Sequence, residues 1–78
     1  MTPLSLAPTG EPMTVVDVRA GRRLRHRLSN LGLVPGTVVK IVQCTSCGRV
    51  ILAVGDARLA LGRGASHKVL VEPVPHVN

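Results

Sequence analysis

The sequence contains no phenylalanine, tyrosine or tryptophan, and that absence constrains both its core and its partners. A core without aromatic rings has to be filled by valine, leucine, isoleucine, alanine and methionine. A surface without them has nothing on which a nucleic-acid base can stack, so nucleic acid is not the expected partner. Acidic residues are nearly as scarce. Glu11, Asp17, Asp56 and Glu72 are the only four, and they lie on separate segments with no carboxylate pair for acid–base chemistry. There is no glycine-rich phosphate cradle and no Cys–His signature of a nucleophile. An enzyme is therefore not expected. Apolar stretches such as "VILAV" at Val50–Val54 fall far short of the ~20 residues that cross a bilayer, so direct membrane insertion is not expected. The stretch "MTPLSLAPTG" lacks the basic start and apolar segment of a secretory signal, which places the chain in the cytoplasm with reduced thiols as an expectation.

The 78 residues fit one small domain over 1–78, with 45% hydrophobic and 18% charged side chains. The expected core runs over residues 4–72, and residues 73–78 read as a frayed tail. Ten Lys and Arg against four Asp and Glu give a formal charge of +6. Five of those cations fall between Arg19 and Arg27. Such a cluster attracts nucleic acid, anionic lipid or an acidic protein surface, and charge alone does not choose among them; a solvated helix face is the plain alternative.

Residues 1–12 hold three of the six prolines and cannot form a regular helix, although Leu4 and Leu6 are placed to reach a core. "TVVDVR" from Thr14 is β-branched, with Val16 and Val18 expected on one side and Asp17 on the other. The period then changes. In "GRRLRHRLSNLGL", Leu24, Leu28 and Leu31 recur at helical spacing, with Arg22, Arg23, Arg25, His26 and Arg27 on the remaining face. Gly32 stands where a left-handed residue ends a helix, and Pro35–Gly36 suits a type II turn. "TVVKIVQC", "RVILAV" and "ARLAL" follow as short antiparallel strands, the last two joined at Gly55–Asp56. "GRGASH" reads as a brief helical turn, and "KVLVEP" as a closing strand with Val69 and Val71 pointing the same way. Five short strands with one inserted helix suggest a partly open barrel.

The ordered segments "LSLAPTGE", "VVDV", "RLRHRLSNLGLVPGTVVKIV", "GRVILAVGDARLAL" and "KVLVE" resemble the FeoA family, the small ferrous iron transport protein A. The resemblance runs from about Leu4 to Glu72, and its most specific part is "RLSNLGLVPG" at Arg27–Gly36. It implies a mainly β fold: a small SH3-like barrel of about five antiparallel strands with one inserted amphipathic helix and a short helical turn. It also implies a non-catalytic cytosolic accessory of ferrous iron uptake, requiring no cofactor of its own. Its partner would be FeoB, a membrane permease with a GTP-hydrolysing domain, which would bring the chain to the inner membrane. The same domain resembles the C-terminal domain of iron-dependent repressors, so fold alone does not fix function. A small barrel without a pocket-sized core acts through its surface. The residues expected to meet a partner are Leu33 and Val34, with Arg22, Arg23, Arg25 and Arg27 steering the encounter. The competing reading has Leu31 and Leu33 capping the barrel end.

The two cysteines of the chain lie in "CTSCG", a departure from the family pattern. Two residues between thiols allow Cys44 and Cys47 to share one ion, in the form of a zinc knuckle, so zinc or another transition metal is the cofactor this pair would take. A closed site needs four ligands. The rest would come from His26, His67 or His76, or from the same hairpin of a second subunit in a homodimer. The plain reading makes Cys44 a small apolar strand residue and Cys47 a loop residue. Redox exchange is disfavoured because no strand–helix element follows Cys47 to lower its pKa. The rival to the accessory role is a basic nucleic-acid-binding or zinc-linked dimeric module, and His26, set among arginines, is a poor ligand for an iron cation.

Overall fold

The computed structural model describes residues 1–45 and 48–74. In chain order these form β1 (Thr2–Pro3), a 3₁₀ turn (Leu4–Leu6), β2 (Pro12–Val18), α1 (Arg22–Asn30), β3 (Val38–Cys44), β4 (Val50–Val54), β5 (Ala57–Leu61), α2 (Arg63–Lys68) and β6 (Val69–Pro73). Every strand pairing is antiparallel, in the order β1-β6-β2-β3-β4-β5. The five expected strands, the helix and the helical turn are all present. A sixth strand, β1, pairs Thr2 with Val71 and Pro3 with Leu70 at the sheet's edge. Two residues carry too short a pattern to announce a strand, and proline tolerates an edge because it has no N–H to offer the ladder.

Inward side chains from β2 to β6 meet in one cluster with Leu4, Ala7, Leu28 and Leu33, so the sheet wraps around its core. The buried apolar residues are aliphatic side chains and Met13, as the missing aromatics require. Two bulges produce the bend. In β2 the register shifts between Val15 and Asp17, and an extra residue resets which face each side chain takes. Met13, Val15 and Val18 are therefore buried while Val16 is only partly so, which corrects the expected pairing of Val16 with Val18. In β3 the shift falls between Ile41 and Gln43; Val39 and Ile41 point inward, and Val42 is 39% exposed.

The lead-in follows its own period. A 3₁₀ turn repeats every three residues, so Leu4 and Ala7 are buried while Leu6 is left 69% exposed. The expectation that Leu6 joins the core is corrected by that geometry. Downstream, the Gly10 amide donates to the Ile41 carbonyl at 2.8 Å and ties the lead-in across β3.

α1 ends in a fully formed Schellman motif. Gly32 takes φ 92°, its amide donates to the Ser29 carbonyl at 3.0 Å, and the Leu33 amide reaches back to the Leu28 carbonyl at 2.9 Å. Leu28 and Leu33 are both buried, supplying the apolar contact that usually accompanies this closure. Leu31, expected on the apolar face, is instead the C-cap and 47% exposed. The chain turns at Gly32, so Leu33 takes the inward place. Pro35 and Gly36 then form the type II turn: the Thr37 amide donates to Val34 at 3.1 Å with Gly36 at φ 97°. The turn is fastened to β2 by Gly36 N–H to Val15 C=O and Val15 N–H to Thr37 C=O, both 2.8 Å.

Two glycines of opposite requirement test this account. A Cβ at Gly32 would meet only Val54 Cγ1 at 3.7 Å, so Gly32→Ala carries a conformational cost alone, of about 1–2 kcal/mol. Gly64, in α2, has no neighbour within 4 Å of a built Cβ and no positive φ, so Gly64→Ala should stabilise by about 0.5–1 kcal/mol. Urea unfolding of both variants measures the two signs.

Candidate partner-binding face

No acidic residue occurs between Val18 and Gly55, and α1 lies inside that interval. Of its nine residues, Arg22, Arg23, Arg25, His26, Arg27, Ser29 and Asn30 are exposed, Leu24 is partly buried and Leu28 is fully buried. The helix is thus held by a narrow seam and shows the rest of its surface to solvent. Its N-cap is Gly21, with no side-chain cap and no acidic residue in the first turn. A helix start normally gains from negative charge; here it carries arginines. Among the described residues, none of the α1 guanidinium groups has a hydrogen-bond or ion-pair partner. Arg22, Arg23, Arg25 and Arg27 therefore stand as uncompensated charge.

Beside them, the segment after the helix offers apolar contact. Val34 is 39% exposed on the turn where the sequence placed it. Leu33, expected with it, is 1% exposed and belongs to the core through the helix closure described above. Leu31 takes its place as the second exposed apolar residue of this face. The sequence signal that separates the two leucines is Gly32 itself: a left-handed residue reverses the chain, so the leucine before it faces out and the one after it faces in.

The β3–β4 hairpin lies elsewhere on the molecule. Cys44 is free and exposed at the end of β3; its thiol lies 3.9 Å from the Thr45 carbonyl. Cys47 and His76, the other thiol and one candidate ligand, fall outside the described residues. Among the described residues no three of His, Cys, Asp and Glu come together to hold a metal. His26 lies on α1 and His67 on α2, and His67 Nδ1 sits 3.3 Å from Ser5 Oγ.

Local bonds brace the hairpin. The Thr45 hydroxyl donates to the Arg49 carbonyl at 3.2 Å and accepts from the Arg49 amide at 3.1 Å. Gly48, at φ 89°, lies so close to Arg63 that an added Cβ would be 2.8 Å from Cγ. Ser66 is the one buried polar residue among those described, and its hydroxyl has the Arg63 carbonyl at 3.1 Å and the Gly48 carbonyl at 3.4 Å. Ser66 thus couples α2 to the hairpin. A serine within the short segment "GRGASH" gives no sign of this in sequence, since the partner is 18 residues away.

Comparison with known proteins supplies what geometry alone does not. The FeoA domain family matches residues 2–73. A Methanocaldococcus jannaschii protein named "Putative Fe(2+) transport protein A" is 33% identical over 72 residues, covering 92% of this chain and 87% of its own. A crystal structure of the iron uptake regulatory protein FeoA superposes with a TM-score of 0.83 at 30% identity, over 94% of this chain and 96% of that one. A manganese-dependent transcriptional repressor shares the fold at 18% identity with a TM-score of 0.83, over 91% of this chain and 40% of the repressor. At that identity the likeness concerns architecture alone.

The brace beneath the hairpin can be dissected. Ser66→Ala should lower the free energy of unfolding by about 1 kcal/mol through loss of its hydroxyl bonds. Gly48→Ala should cost more, because positive φ and contact with Arg63 combine. Pairing Gly48→Ala with Arg63→Ala should recover only the part of the contact made by Arg63 Cγ and Cδ, since the Cβ at 3.1 Å remains. Urea denaturation of the four chains provides the comparison.

Proposed function

The chain belongs to the FeoA family, and from that membership we propose that it is a non-catalytic accessory of ferrous iron uptake. In this role it docks through α1 and the following turn on the cytosolic part of a FeoB-type, GTP-hydrolysing permease. The observation that carries the reading is the extent of the family match, which takes in every element from β1 to β6. The surface is consistent with it. Uncompensated arginines on α1 raise the rate of encounter with an acidic partner, and Leu31 and Val34 supply the apolar area that holds the complex once formed. Fully burying such a side chain contributes about 1.5–3 kcal/mol, and less here because both are already partly covered. No helix among the described residues is long and apolar enough to cross a membrane; in this reading the chain reaches the membrane through its partner. Iron is the cargo of the permease, and this chain needs no ligand set for it.

Binding should be measured between the purified chain and the cognate permease in detergent or nanodiscs. Reversing Arg22, Arg23, Arg25 and Arg27 to glutamate should slow association by about tenfold or more at low salt, and by less at high salt, where screening already weakens the attraction. Leu31→Asp with Val34→Asp should act mainly on dissociation. Absence of binding by the unaltered chain at low and moderate salt would remove the docking role.

A further inference from the structure

An open cleft of about 480 Å³ runs between α1 and the turn that follows it. Its lining is half polar and half apolar: Val18, Ala20 and Val34 are among the apolar side chains, and α1 contributes Arg22, Arg25, His26 and Ser29. Those four share one face because residues three and four apart in a helix are neighbours. Arg23 and Arg27 form a second pair four apart and do not line the cleft. The helix therefore divides its charge into two arginine pairs: Arg22 and Arg25 line a cleft that also presents apolar side chains, while Arg23 and Arg27 are exposed outside it.

The combination selects among anionic partners. A free phosphate would use the arginines and leave the apolar side chains wet. A stacked base calls for an aromatic ring, and the chain has none. A lipid surface meets protruding charge more readily than a recess. We propose that the cleft seats an acidic segment of the protein partner, one that presents an apolar anchor residue between carboxylates. The anchor lies on Ala20 and Val34, and the flanking carboxylates pair with Arg22 and Arg25, whose guanidinium forks suit bidentate contact. The inference rests on the docking role above and adds to it the face used and the chemistry of the segment received.

Two charge-matched double variants isolate the cleft from general attraction. Arg22→Glu with Arg25→Glu, and Arg23→Glu with Arg27→Glu, change the net charge equally, so steering alone weakens both alike. The cleft predicts that the first pair loses about tenfold more affinity for the permease than the second, with both folded by circular dichroism. Equal losses overturn it.

A second measurement needs no permease. The isotope-labelled chain is titrated with a capped peptide carrying leucine between glutamates, and amide shifts are followed by NMR. Shifts at Ala20, Arg22, Arg25, Val34 and Gly36, with several-fold weaker binding of an all-glutamate peptide of equal length, are the expected result. Equal binding of the two peptides, or shifts centred elsewhere, overturns it. A single-stranded oligonucleotide or an anionic phosphatidylserine vesicle that moves the same amides at lower concentration also overturns it. Should the unaltered chain fail to bind the permease, the docking role falls, and the peptide titration judges the cleft on its own.

Discussion

The hydrogen bond from the Leu33 amide to the Leu28 carbonyl, at 2.9 Å between two buried leucines, is the link on which the placement of α1 and its arginines depends. α1 has nine residues, too few for an isolated helix to persist in water. Only Leu28 is fully buried along it, with Leu24 assisting. The closure at Gly32 turns that small hold into a defined orientation: it satisfies helix-end carbonyls, reverses the chain and returns Leu33 to the core. The Pro35–Gly36 turn, fastened to β2, then fixes the far side of the cleft. Arg22 and Arg25 thereby gain a fixed position relative to Ala20 and Val34, the arrangement on which the proposed recognition rests.

The remainder of the fold supplies a rigid frame for this arrangement. An aliphatic core lacks the large, flat side chains that fill space in other small domains, and the sheet compensates by curling tightly through bulges in β2 and β3. Away from α1, the frame is braced by polar contacts: Ser66 reaches the hairpin at Gly48, and Ser5 lies against His67. One end of the molecule is held by buried leucines and the other by hydroxyl groups. That second end also carries exposed cations, Arg49, Arg63 and Lys68, so what sets α1 apart is the placement of its arginines and not charge alone.

Much of this was legible in the residues. The change from period two to period 3.6 located α1, and Gly32, Pro35–Gly36 and Gly55–Asp56 marked turns whose glycines all take positive φ. What escaped the sequence has physical reasons. A bulge inserts one residue and inverts the alternation beyond it, so Val16 and Val18 could not be assigned correct faces from pattern alone. Leu31 and Leu33 are the same residue type two positions apart, and their opposite fates follow from a backbone reversal that periodicity does not contain. β1 is two residues long and owes its existence to β6. Of the site, the arginines were legible as a cluster and Val34 as an exposed turn residue. The division of the arginines into two pairs required the coordinates of Ala20 and Val34, because a helix pattern gives spacing and leaves open what lies beneath each face.

In the proposed role, partner recognition is confined to α1 and the turn after it. Amide hydrogen–deuterium exchange of the chain, alone and with the cytosolic part of a FeoB-type permease, tests this most directly. The account predicts added protection over residues 20–36, with β4 and β5 unchanged. Protection centred on β4, β5 or the Cys44 hairpin, with 20–36 unaffected, would contradict it.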